Sequence, residues 1–264
     1  GAEGQLGLAS IAAAWVATKL GGVPWIVALP VVLLVAIAVG ALYAGIAGLM
    51  RAYRGVHEII SGIMLNRCAD VLLPWLLVVG IGASGLRTDD VADGARLPGL
   101  ETWLGSFRGS AVSLAFPLAV IVTYAVYAWL ERSRVGREMQ WVGWGPEACA
   151  AQGIDVPKRR MQAMLLSGAL AGLVVTGTVL GYKGYYEIGL GAGAGFSGIA
   201  VAMVGRSGPT AMVASALAFG TLAQAGLAIN AQVPKEAMGV LEAVVIILVA
   251  AAAYAKSQTA EAKA

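Results

Sequence analysis

The chain has 264 residues, 59% of them hydrophobic and only 12% charged, with 36 glycines and a mean hydropathy of +0.78. A soluble fold carries roughly 25% charged residues and could not cover so much apolar surface with so few. The net charge of +3 is too small to point to nucleic acid. One histidine, His57, and two distant cysteines, Cys68 and Cys149, leave no metal cluster or CxxC pair. The composition is that of a polytopic membrane protein.

A helix needs about 20 apolar residues to cross roughly 30 Å of hydrocarbon, and runs rich in Ala and Leu without alternation favour helices over a barrel. In chain order, the candidate segments are 5–18, 20–50, 59–80, 109–130, 161–182, 188–205, 207–234 and 243–255. The fold expected is therefore all-α: a helical bundle with about eight membrane segments, at least two of them short, filling residues 1–255. Residues 256–264 form a polar tail. Eleven of the 18 Lys and Arg residues fall in 51–58, 131–160, position 206 and the tail; Lys19, Arg87, Arg96, Arg108, Lys183 and Lys235 fall on the other side. Positive charge collects on the cytoplasmic face, so 131–160 is expected inside and the acidic loop 81–110 outside. Within that loop RLPGLETWLGSF reads as an amphipathic surface helix.

Several segments are interrupted. Gly191, Gly193 and Gly195 alternate ahead of only about ten good helix formers, and each glycine costs a helix about 1 kcal/mol. Unwound backbone survives in a membrane where protein or a water-filled cavity satisfies it, as in transporter pathways; close packing through small residues is the other reading. Ser167, Gly168, Ala169, Ala171 and Gly172 are read as packing residues. Charges at Glu3, Arg67, Asp70 and Glu242 lie in or beside apolar segments, where they are costly. Arg67 and Asp70, one turn apart, are expected to pair locally. Glu3 stands in GAEG, another broken entry to a short helix.

Between residues 131 and 160 the chain reads ERSRVGREMQWVGWGPEACAAQGIDVPKRR. Pro146 suits a first helical turn, Glu147 complements its dipole, and Gly153 ends it. Trp141 and Trp144 belong to an aromatic belt or a protein contact. His57 is expected to be solvated. No P-loop, HExxH or GxSxG is present, so the chain is expected to be neither an ATPase nor another enzyme, and to carry no cofactor.

This loop resembles the cytoplasmic coupling loop of bacterial ABC importer permeases of the branch that handles sugars, nucleosides and branched-chain amino acids. Glu147, Ala148 and Gly153 stand at the EAA…G pattern, with Cys149 at its third, usually small, position. GAEGQ (1–5) resembles an N-x-G-x-E-G segment entered after its Asn. GVHEIISGIMLN (55–66) and GFSGIAVAMVGRSGP (195–209) resemble blocks of the nucleoside and simple-sugar branch, the latter with Ser197 in place of an acid. ARLPGL fits that branch's external loop. The resemblance covers nearly the whole chain. It implies a permease of about ten helices, with one or two preceding Gly1. It also implies two cytoplasmic ATP-binding subunits, a second permease and an extracytoplasmic binding protein, all at a bacterial inner membrane. Pro146, Glu147, Ala148, Ala150 and Gly153 would dock on the ATPase; Glu3, Asn66, Gly193, Gly195 and Phe196 would line the translocation path. The alternatives are a branched-chain amino acid permease and a stand-alone transporter driven by an ion gradient. The latter needs acids near the midplane, for which Glu3 is thin support.

Overall fold

A computed structural model describes residues 2–83, 85–100, 112–191, 193–205, 208–228, 240 and 244. Among these the regular elements are helices: α1 (Ala2–Lys19), α2 (Trp25–Arg54), α3 (Glu58–Trp75), α4 (Ala115–Arg132), α5 (Arg134–Trp144), α6 (Pro146–Ala151), α7 (Val156–Gly172), α8 (Ala194–Val204) and α9 (Pro209–Ala228). The chain divides into two compact units, residues up to 195 and residues from 196 on. The fold is an all-α bundle, as the sequence predicts. Among the described residues three stretches are long and apolar enough to cross a membrane, namely Trp25–Arg54, Glu58–Gly80 and Val156–Lys183. The segment expected at 243–255, Glu242 and the polar tail lie outside the described residues, apart from a helical position 244.

The packing of α2 shows what solvent the protein is built for. Its buried positions are mostly small, among them Ala28, Ala36, Gly40, Ala44, Ala47 and Gly48. Its large side chains point outward: Trp25 is 65% exposed, Leu34 64% and Leu42 71%. Water would expel such a surface, whereas lipid accepts it and leaves close backbone approach to hold the helices. Ala36, Gly40, Ala44 and Gly48 recur every fourth residue; the first three meet Gly168 and Gly172 of α7, and Gly48 faces Met161 and Met164 of the same helix. A Cβ on Gly40 would run into the Gly168 carbonyl, and one on Gly172 into that of Ala36. The expectation that Gly168 and Gly172 serve packing holds, because backbone lies against backbone there.

Helix α1 occupies the middle of this unit, against α2, α3 and α7. Eleven of its 18 residues are buried. At one end, residues 86–97 strap across the α1–α2 turn and the end of the α7 span. Thr88 N–H donates to Tyr186 O at 2.8 Å, Val91 N–H to Gly184 O at 2.7 Å, Leu97 N–H to Leu180 O at 2.9 Å and Ala92 N–H to Ala17 O at 3.3 Å. Tyr186 is buried beneath the strap, and burial pushes its phenol up to about 12. Arg96–Leu100 is not the expected helix: Leu97 is spent on the strap and Gly99 bridges to Ser113. The rest of that predicted helix lies outside the described residues.

Two spans finish in π-helical turns, Leu76–Gly80 after α3 and Thr176–Lys183 after α7. Pro74 removes one ladder donor just before the first of them. Gly184, at φ 75°, closes the second.

Candidate functional site

Near the start of α1, two helix entrances are satisfied by side chains from elsewhere. Asn66 Oδ1 on α3 accepts the N–H of Gly4 at 3.0 Å, and Glu3 Oε1 accepts the N–H of Gly195 in the first turn of α8 at 2.9 Å. Both acceptors serve N–H groups that a helix cannot pair internally, and a carboxylate there also meets the positive end of the dipole. The approach to α8 is unwound: Gly189, Gly191 and Gly193 have φ of 87°, 79° and 88°. Gly191 rests on Leu6 of α1, while Gly193 faces open space.

The structure thus brings Glu3 to Gly195 and Asn66 to Gly4, within one turn of α1. Phe196 follows in α8, in the second unit, and is 61% exposed. Close by in sequence, the buried Gln5 Oε1 and Ser10 Oγ of α1 have no hydrogen-bond partner among the described residues. Tyr43 of α2 ties the same region to α3 by donating its hydroxyl to Leu65 O at 2.7 Å. Nothing in the local spacing of Tyr43 or Gln5 announces these roles, since partner and burial both depend on how α1, α2 and α3 cross.

The second candidate region is 131–160. It contains two helices where the sequence reading finds one. Ser133 accepts Gly136 N–H at 2.9 Å to start α5, and Asp155 accepts Lys158 N–H at 3.0 Å to start α7. Between them α6 begins at Pro146, in its first turn, and ends in a Schellman motif. Ile154 N–H donates to Cys149 O and Gly153 N–H to Ala150 O, both at 3.0 Å, with Gly153 at φ 79°. Glu147, Ala148, Ala150 and Gly153 are exposed, and Pro146 is half-buried. Cys149, the departure from the EAA pattern, is the one buried residue of α6.

The helices on either side of α6, α5 and α7, are joined by an ion cluster that sequence reasoning missed. The Glu138 carboxylate, with 7% of its side chain exposed, accepts Arg134 Nε at 2.8 Å on one oxygen. Its other oxygen takes Arg159 Nε at 2.7 Å and Nη2 at 2.6 Å. Arg159 also donates Nη1 to Gln162 at 2.7 Å. The hydrogen bond from Arg134, reinforced by Arg159, holds the Glu138 carboxyl below the usual carboxylate range. The i,i+4 spacing of Arg134 and Glu138 was a readable signal; the 21-residue reach to Arg159 was not.

The other charges are local. Arg67 and Asp70 pair at 3.1 Å on the surface, as expected, and His57 is exposed and caps α3 by accepting Ile59 N–H at 3.4 Å. No group of three His, Cys, Asp or Glu able to hold a metal occurs among the described residues.

Comparison with known proteins matches residues 1–250 to the family described as branched-chain amino acid transport system / permease component. The guanosine ABC transporter permease protein NupP of Bacillus subtilis is 32% identical over 255 residues, which is 95% of this chain and 72% of that protein. The glucose ABC transporter permease protein TsgB13 of Haloferax volcanii is 29% identical, over 97% of this chain and 70% of its own. The nucleoside ABC transporter permease protein NupB of Lactococcus lactis is 27% identical, over 95% and 71%. No solved structure matches. With the family matched across nearly its whole length and an apolar, outward-facing helix surface, the chain belongs to the permease components of ABC transporters and is a multi-pass membrane subunit, not an enzyme.

Proposed function

We propose that this permease forms the import path for a nucleoside or simple sugar across a bacterial inner membrane. It would be driven by two cytoplasmic ATP-binding subunits, paired with a second permease and supplied by an extracytoplasmic binding protein. The observation that carries this reading is the joint one of relatives and α6. Permeases named for guanosine, glucose and nucleosides align over nearly the whole chain. The EAA-like helix presents Glu147, Ala148 and Ala150 outward on a buried Cys149. Small exposed side chains let a partner surface come close, and a left-handed Gly153 permits the sharp exit. Proteoliposomes holding the assembled transporter and its binding protein should accumulate a nucleoside or a simple sugar only when ATP is supplied inside. Uptake driven by an ion gradient without ATP would overturn the reading. The family description itself favours one other solute class, branched-chain amino acids, and leucine uptake in the same vesicles would select it.

In this reading Glu3, Asn66, Gly193 and Gly195 line the path, as does Phe196 at the start of the second unit. Its support is the pair of side-chain-capped helix entrances beside an unwound glycine run, an arrangement that transporters use around a solute. Phe196→Ala belongs in the same assay: a changed uptake rate with unchanged protein in the membrane supports the placement, and an unchanged rate removes Phe196 from it.

The loop 131–160 faces the cytoplasm and 81–110 the outside. The strap over Tyr186 and the α5–α6 region stand at opposite ends of the α7 span, which Val156 opens and Lys183 closes. In a variant lacking Cys68 and Cys149, a cysteine replacing Ser106 should react with an impermeant reagent added outside, and one replacing Gln152 should not. The reverse pattern would invert the topology.

A further inference from the structure

We infer that Glu138 is a positioning residue for coupling: its carboxylate locks α5 to the first turns of α7, so that α6 is carried as part of α7 rather than hinged beside it. This rests on the reading of α6 as the docking helix.

On its own α6 is a poor lever. It has six residues, of which only Cys149 is buried, and is flanked by non-helical joints at Gly145 (φ −155°, ψ 83°) and at Gln152–Gly153. A push on such an element would bend the joints before it moved a membrane span. The Glu138 cluster removes that freedom, because it closes the loop from behind. Arg159 grips one oxygen of Glu138 with two donors, a charge-assisted fork, and is itself only 16% exposed. The other side of α5 is sealed as well: a Cβ on Gly136 would strike the backbone of Leu130 and Trp129, so the α4–α5 corner is in backbone contact. Between a closed corner and a buried ion pair, α5 has no slack.

The consequence runs upward through contacts already described. Helix α7 is seated on α2 at Gly168 and Gly40, α2 on α3 through Tyr43, α3 on α1 through Asn66, and α1 on the first turn of α8 through Glu3. A displacement of α6 that reaches α7 therefore reaches the glycine-broken entrance of α8. Without the clasp, it is absorbed at Gly145 and Gly153.

The test uses the complete transporter in proteoliposomes and reads solute imported per ATP hydrolysed, a ratio that loss of folded protein does not move. Glu138→Gln should lower that ratio about fivefold. Arg134→Gln, which removes an arginine whose side chain is 88% exposed, should lower it far less. If Glu138→Gln fails to accumulate, Arg159→Lys, which keeps the charge but loses the fork, is read in the same way. A wild-type ratio in either variant overturns the inference. Cross-linking of Ala148→Cys to the ATP-binding subunit, in an otherwise unaltered chain, separates the two claims. Its absence sinks the docking reading itself, and its presence with an unchanged ratio in Glu138→Gln sinks only the clasp.

Discussion

Replacing Gly168 by leucine is expected to abolish folded protein in the membrane. The side chain would begin where Ala44 Cβ and the Gly40 carbonyl already are. Overpacking normally costs 1–3 kcal/mol because side chains shift to make room; here the obstacle is backbone, so α2 and α7 must separate along their whole crossing. In lipid no hydrophobic gain returns when the helices part or rejoin, so the loss of close contact is not offset. Even Gly168→Ala should destabilise by about 1–3 kcal/mol. The control is Gly220→Ala on α9, where a new Cβ meets nothing within 4 Å. Alanine is the better helix former there by up to about 1 kcal/mol, so stability should hold or rise. Thermal unfolding of the detergent-solubilised variants, with membrane yield as a second readout, checks all three. A Gly168→Leu chain that accumulates normally would mean the two helices do not cross where described.

The second large effect is expected on activity with stability nearly intact. Gly153 stands at φ 79° with open space around its missing side chain, so a tryptophan there clashes with nothing inside the permease. It meets only the intrinsic cost of a left-handed residue, about 1–2 kcal/mol, which the chain can relieve by unwinding the last turn of α6. Ala148 is exposed, and Ala148→Trp adds bulk on the face proposed to meet the ATP-binding subunit. The double variant should insert and unfold like the parent but lose ATP-driven uptake, whether because the ATP-binding subunit no longer docks or because it docks without moving the spans. Uptake at the parental rate, in vesicles with every partner present, would leave α6 as a connector.

The legibility of this protein in its sequence divides along the range of the interactions. Spans, caps and breaks depend on neighbours in the chain, and they were readable: Pro146 and Gly153 bound α6, Gly191 and Gly193 unwind the entry to α8, and Arg67 pairs with Asp70. The family blocks drew attention to Glu3 and Asn66, but not to what they do. That Asn66 caps α1 and Glu3 reaches Gly195 depends on where helices cross, 62 and 192 residues apart in the chain. The same limit hid Glu138, whose partner Arg159 sits beyond α6, and the strap, which replaced an amphipathic pattern at Arg96–Leu100 with hydrogen bonds from Leu97 to Leu180 of the α7 span and from Leu100 to Val112. Helix α5 was a different kind of miss. Its Ser133 cap and its Arg134–Glu138 spacing were both local and both went unread, because the helix is polar on average and does not stand out beside the apolar spans.

Helix α2 has one more implication, drawn from its length. Thirty residues rise about 45 Å, well beyond a hydrocarbon layer of roughly 30 Å. The excess must be taken up by tilt or by ends that protrude into the headgroups, and Trp25 at one end and Arg51 and Arg54 at the other are suited to both. Because α7 meets α2 backbone against backbone where Gly168 and Gly172 face Gly40 and Ala36, the two cannot tilt separately. A thicker bilayer stands the pair upright and a thinner one lays it over, and either change alters the height at which α7 presents Arg159, and with it α6, at that end of the span. If α6 docks on the ATP-binding subunit as proposed, the acyl chains surrounding this subunit become an input to that engagement, entering through a helix that lies away from α6 itself in sequence.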